Sequence, residues 1–158
     1  MPKRLMEKTT DVCIKKQEQM ARINSYLTFN GNCREAMTFY QDCLGGQLTL
    51  EAIGESVIAD NMPNMMKRSI IHAVLTKDDL VIMATDMVEE RGLIKGNSIS
   101  MMLNCNSEEE AQAFYDKLSA GGRASHPLQS TFWGAIFGDL TDRFGNNWLI
   151  NYDKNRYI

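Results

Sequence analysis

The chain has 158 residues, 44% of them hydrophobic and 23% charged, with a formal net charge of -3. Such a length favours one domain with a sizeable buried core. Lys and Arg are scattered instead of striped, which argues against a nucleic-acid partner, and no run approaches the roughly 18 apolar residues of a membrane span.

In chain order, residues 1–21 form a polar arm with little apolar periodicity. Met20-Ala21-Arg22-Ile23 reads as a native start, so the arm is expected to be an appended segment or a ragged tail. Its Cys13, with Cys33, Cys43 and Cys105, stands at irregular spacing without a C-x-x-C pair. Reduced thiols in a cytoplasmic protein are expected, and a clustered-cysteine zinc site is not.

A first strand is expected from Ile23 to Asn30, where Leu27 and Phe29 alternate with Tyr26 and Thr28. A helix follows. Asn32 stands three residues before Glu35, the spacing of a capping box, and Ala36, Phe39/Tyr40 and Cys43/Leu44 share one face. Gly45-Gly46 offers the left-handed backbone that ends it. Strands are expected at Gln47 to Ile53, Ser69 to Leu75 and Leu80 to Thr85, the last two joined by a turn at Lys77-Asp78-Asp79. Between the first and second of these lies a loop from Glu55 to Lys67, rich in methionine (Met62, Met65, Met66). Methionine adapts to varied apolar surfaces, so this loop suits a pocket lid or a dimer interface.

Residues 87–96 read as a polar connector, a short helix or a loop, and then the order repeats. Ser98 to Leu103 is a strand, Ser107 and Glu110 offer a second capping box, and Ala111, Phe114/Tyr115 and Leu118 form a second apolar face. Gly121-Gly122 ends that helix, and strands are expected at Arg123 to Leu128, Trp133 to Leu140 and Asn147 to Tyr152. Both helices carry E-A-x-x-F-Y, 75 residues apart at Glu35 and Glu110. With matching flanks, this marks an internal duplication.

A four-stranded sheet with one helix leaves its other face bare, and a second copy is the simplest cover. The expected fold is therefore α+β: two β-α-β-β-β modules pairing into an open eight-stranded barrel-like sheet, with the helices outside. Two curved sheets are expected to face each other. One domain is expected over residues 22–153, with module 1 at about 22–86, a linker at 87–96, module 2 at about 97–153 and a tail at 154–158. Any pocket should lie between the halves.

Three stretches are distinctive: Thr28-Phe29-Asn30-Gly31-Asn32-Cys33-Arg34-Glu35-Ala36, Ile71-His72-Ala73-Val74-Leu75, and Trp133 to Gly138 with Asp142 to Asn151. They resemble PhnB-like proteins of the glyoxalase/bleomycin-resistance/extradiol-dioxygenase group, the vicinal oxygen chelate superfamily. The resemblance covers about residues 22–153 and implies the paired-module fold and a homodimer. It also implies, for members that do chemistry, a divalent metal held by His and Glu from the first and last strands of each half. Those positions fall near Ser25, Met83, Ser98 or Ser100, and Leu149, none of which is His, Glu or Asp. No metal or cofactor is expected there. PhnB-like proteins are sometimes labelled demethylubiquinone methyltransferases, but no glycine-rich cofactor loop supports that label here.

His72 lies in an apolar strand, facing by alternation with Ile70 and Val74. It is the one candidate general acid or base, or else a hydrogen-bonded strand histidine. Asn30 at the strand-to-helix corner either lines a pocket or satisfies turn backbone. Trp133, beside Gly134, suits the mouth of a cavity, while Trp148 reads as core. Asn30, His72, Met83 and Trp133 are the expected ligand-binding set. His126, before Pro127, reads as an exposed edge residue, and Asp139 and Asp142 as solvated turn residues. Three functions stay open: a protein binding a small apolar or amphipathic molecule in a metal-free cavity, a glyoxalase- or dioxygenase-like enzyme with a non-standard site, and a dimeric interaction protein with no ligand.

Overall fold

A computed structural model describes residues 21–155. The arm apart from Ala21, Met20 and Cys13 included, and residues 156–158 of the tail lie outside the described residues. The first module runs β1 (Ser25–Thr28), α1 (Cys33–Leu44), β2 (Gln47–Ala52), a one-turn α2 (Asn64–Lys67), β3 (Ile70–Lys77) and β4 (Leu80–Thr85). The second runs β5 (Met101–Asn104), α3 (Glu108–Ser119), β6 (Arg123–Ser130), β7 (Ala135–Thr141) and β8 (Asn147–Asp153). Each module folds its strands into one mixed sheet, in the orders β1-β4-β3-β2 and β5-β8-β7-β6. β1 pairs parallel with β4, and β5 parallel with β8, so the topology repeats as the sequence does. The α+β class and paired modules hold, with eight strands standing as two open sheets of four. The methionine-rich loop winds into two 3₁₀ turns and α2, while residues 87–96 form no helix.

Both helices bury the face that their periodicity marks. In α1 this is Cys33, Ala36, Met37, Tyr40, Cys43 and Leu44; in α3 it is Ala111, Tyr115 and Leu118. One core joins the two modules on this helix side, running from Phe29 and Tyr40 to Trp148 and Ile150. The modules thus meet at least through this shared core. The opposite sheet faces keep apolar side chains partly exposed, with Tyr26 54% and Met102 50% accessible.

The helix starts differ in chemistry. Ser107 Oγ accepts from Glu110 N at 3.1 Å, as a capping serine should, but the Glu110 carboxylate reaches Asn106 N (2.7 Å) and not the cap itself. At α1 the Asn32 side chain caps nothing. Its place is taken from afar by the buried Asp86, whose Oδ1 accepts from Gly31 N (2.8 Å) and Cys33 N (2.9 Å), while Oδ2 accepts from Ile70 N (2.9 Å). A carboxylate at a helix N-terminus also meets the positive end of the helix dipole. Asn32→Ala is thus expected to change folding stability by under about 0.5 kcal/mol, Ser107→Ala to cost about 1 kcal/mol, and Asp86→Ala about 3 kcal/mol. Urea denaturation of the three variants checks the order, and equal losses at Asn32 and Asp86 would contradict this account.

Candidate functional site

The junction between modules is built twice by the same device. Lys77, at the end of β3, donates to the last-turn carbonyl Leu44 O of its own module's helix (2.8 Å), and its ammonium lies 5.6 Å from the Phe114 ring of the other. Arg143, in the β7–β8 turn, donates to Ala120 O after α3 (3.2 Å) and lies 4.4 Å from the Phe39 ring of the first module. Each cation caps the negative end of its own helix and grips the partner helix through an aromatic face. Phe39 and Phe114 are the paired aromatics of the two E-A-x-x-F-Y segments. Lys95 in the connector adds a third tie, donating to Phe144 O and lying over the Phe29 ring.

Asp142 sits at the centre of this junction. It was expected to be solvated in a turn; instead it is 3% exposed. Oδ2 accepts from Tyr40 Oη–H at 2.6 Å and from Trp148 Nε1–H at 2.8 Å, and Oδ1 accepts from Phe144 N (2.9 Å) and Asn146 N (3.0 Å). Four donors can satisfy a carboxylate's lone pairs, which is what makes its burial tolerable. Burial, with the Asp142 charge beside it, holds the Tyr40 hydroxyl well above its ordinary pKa. Tyr40 therefore stays protonated, donating to Asp142 while accepting from Asn146 Nδ2 (2.7 Å).

Beside this junction opens a cleft of about 530 Å³, walled by both modules. Leu44, Ile82, Met101, Leu103, Phe114 and Trp148 supply apolar lining. Its charged lining residues are Lys77, Asp78, Asp79 and Glu110. A smaller pocket of about 210 Å³ lies between Tyr26, Leu27, Ile99, Met101 and Asn147, again from both modules.

None of the four expected ligand residues lines either cavity. Asn30 and Trp133 are exposed, Trp133 (56%) packing edge-on against the nearly bare Phe132 in the β6–β7 turn. His72 and Met83 come together on the open face of the first sheet. The His72 ring stacks on Tyr26, with centroids 6.2 Å apart, and Tyr26 pairs with Met83 across β1 and β4. Alternation misplaced one neighbour of His72. The β2–β3 register passes from Glu51↔His72 to Ala52↔Ile70, skipping Ile71, so Ile70 turns into the helix-side core at 0% exposure. Val74 alone keeps the expected relation to His72.

Register separates the strand residues expected near a metal. Ser25 pairs with Ile82 on the buried row, and Ser98 and Ser100 precede β5. The partners of Met83 and Leu149 are Tyr26 and Met102. This quartet of one phenol, two thioethers and an isobutyl group does not fit a divalent metal held by imidazole and carboxylate. Among the described residues no group of three or more His, Cys, Asp or Glu side chains is placed to hold one. His126 is exposed as expected, but its Nδ1 lies 2.7 Å from Asp139 Oδ2.

Sequence reasoning missed Asp142, Lys77 and Arg143. A faint signal existed: the turns after β3 and β7 both place a cation beside an acid, Lys77-Asp78 and Asp142-Arg143.

Similar proteins share this architecture. A protein of Pseudomonas aeruginosa, PA1353, has a crystal structure that superposes with a TM-score of 0.73 at 38% identity, covering 85% of this chain and 98% of that one. A PhnB protein from Bacillus cereus superposes at 0.67 with 26% identity, covering 84% and 99%. The protein YjdN of Escherichia coli strain K12 is 32% identical over 143 residues, 85% of this chain and 97% of its own length. Among the described residues no helix is long and apolar enough to cross a membrane. Residues 22–150 match the family model of the Glyoxalase/Bleomycin resistance protein/Dioxygenase superfamily, and with its duplicated modules the chain belongs to that superfamily as a PhnB/YjdN-like member.

Proposed function

We propose that this protein binds a small amphipathic molecule in the cleft between its modules, without a metal, and works as a cytoplasmic homodimer. The observation that carries this reading is the cleft itself, with apolar lining from both modules and charged groups beside it. Its 530 Å³ falls in the range of small-molecule sites. The homodimer is supported by apolar groups left in water, among them Val57 (98%), Met65 (88%) and Phe132 (98%). Free thiols at Cys33, Cys43 and Cys105 support a reducing compartment.

A thermal-shift screen of small molecules by chemical class, followed by titration calorimetry, tests the reading. A cleft ligand at a hundredfold its Kd should stabilise the protein by about 2.7 kcal/mol. Met101→Trp, which fills the cleft, should abolish that gain. A hit that stabilises Met101→Trp equally would remove the cleft from consideration. The stacking of His72 on Tyr26 beside Met83 favours a second location, the open face of the first sheet, where His72 would be the acid or base of a non-standard enzyme. Loss of binding in His72→Ala with retention in Met101→Trp would select that alternative. Sedimentation at twice the chain mass is the expected result for the dimer, and a monomer at micromolar concentration would refute it.

A further inference from the structure

The cleft has a sign as well as a volume. Of its lining side chains, Asp78, Asp79 and Glu110 carry carboxylates and Lys77 alone is cationic. The Lys77 ammonium is already engaged, by Leu44 O and by the Phe114 ring. Glu110 accepts only from the neutral Asn106, and among the described residues none of the three acids lies within 4 Å of a Lys, Arg or His side-chain nitrogen. Two of them, Asp78 and Asp79, stand together in the β3–β4 turn, held by Asp78 at φ +50°. With Lys77 counted, the lining carries three negative charges against one positive; Asp78 and Asp79 are solvent-exposed, and the apolar wall beside them focuses this net negative field into the opening. Leu80, Ile82, Met101 and Leu103 then continue the same cleft as an apolar surface toward Trp148.

We infer that the occupant of this cleft is an amphipathic cation, an alkyl or aryl ammonium whose head meets Asp78 and Asp79 and whose apolar body lies against Met101 and Leu103. The inference rests on the cleft being the binding site and adds the ligand's charge class. An anionic amphiphile would bring its head to a net negative opening. A neutral one would forgo the attraction while keeping the apolar contact.

The test uses three probes of one shape on the full chain: 4-phenylbutylamine, 4-phenylbutanol and 4-phenylbutyrate, titrated by calorimetry in low salt. The amine is expected to bind roughly tenfold tighter than the alcohol, and the carboxylate weakest, from Coulomb attraction at a partly screened surface. In Asp78→Asn/Asp79→Asn the amine's advantage should fall to about twofold while the alcohol's affinity stays unchanged. Raising salt to about 0.5 M should shrink the advantage in the native protein in the same way. Equal binding of amine and alcohol, both lost in Met101→Trp, would overturn the cationic class and leave the cleft standing as a binding site. Failure of all three probes to bind, or binding unaffected by Met101→Trp, would overturn the cleft reading and this inference with it.

Discussion

Asp142→Ala is expected to cost about 4 kcal/mol of folding stability, because it strands two buried side-chain donors and two backbone N–H groups at once. Its carboxylate takes the Tyr40 hydroxyl and the Trp148 indole from opposite modules' elements, so the loss falls on the junction and not on one hairpin. Single domains hold about 5 to 15 kcal/mol in total, so the variant should populate unfolded chains at modest urea. Tyr40→Phe removes one charge-assisted bond and should cost about 2 kcal/mol. The double variant should lose less than the sum, since both changes break the same contact. Urea midpoints for the four proteins measure this cycle. A loss below about 1 kcal/mol in Asp142→Ala would show that the junction does not depend on the carboxylate.

Stability should also fall steeply in alkali. Burial pushes the Cys33 thiol up to about 12, helped by the Asp86 charge, and burial pushes Cys43 and Cys105 each up to about 11. Tyr40 and Tyr115 are raised as well, again chiefly by burial. These are acids whose folded pKa lies above the unfolded one. Their contribution is fully present below the unfolded thiol pKa of about 8.5 and is lost as pH rises toward the folded values. In that window the unfolded chain has released protons that the native state still holds. Each thiol can contribute a slope of up to about 1.4 kcal/mol per pH unit, so several kcal/mol should vanish between about pH 9 and pH 11. Urea midpoints at pH 7.5, 9 and 10.5 check the sign and the window. Cys33→Ala should flatten the curve, whereas a profile level from pH 8 to pH 11 would contradict the burial of these thiols.

The two predictions rest on residues of different legibility. Cys43 falls on the apolar face read for α1, where a 3.6-residue period puts it inside without any knowledge of the second module, and the structure adds Cys33, three residues before Ala36, to the same buried face. Asp142 gave no such indication, because a carboxylate between a strand and a glycine turn is usually hydrated. Three of the four donors that make its burial tolerable lie within six residues, and the fourth, Tyr40, stands 102 positions earlier in the chain, where no local pattern announces it.

The candidate site divides in the same way. His72 and Met83 were singled out as ligand-binding residues on strands; they share an open sheet face with Tyr26 but line neither cavity. That a pocket lies between the halves followed from the duplication, but its lining was not legible, since its walls include β1, β4, β5 and α3 and its charges come largely from a hairpin turn that reads as ordinary surface. Asn30 and Trp133 were singled out on local chemistry, which says nothing of whether another segment folds over them.

By itself the sequence determined the duplication, the element order and the buried faces of both helices, because periodicity and end signals act within a dozen residues. The tertiary structure alone decided where the halves meet. That depends on contacts spanning the whole chain: Arg143 on Phe39, Lys77 on Phe114, and Asp142 between Tyr40 and Trp148. It also decided that the strand rows hold Tyr26, Met83, Met102 and Leu149. Register is set by pairing between distant strands, and a shift of one residue exchanges one face of a strand for the other.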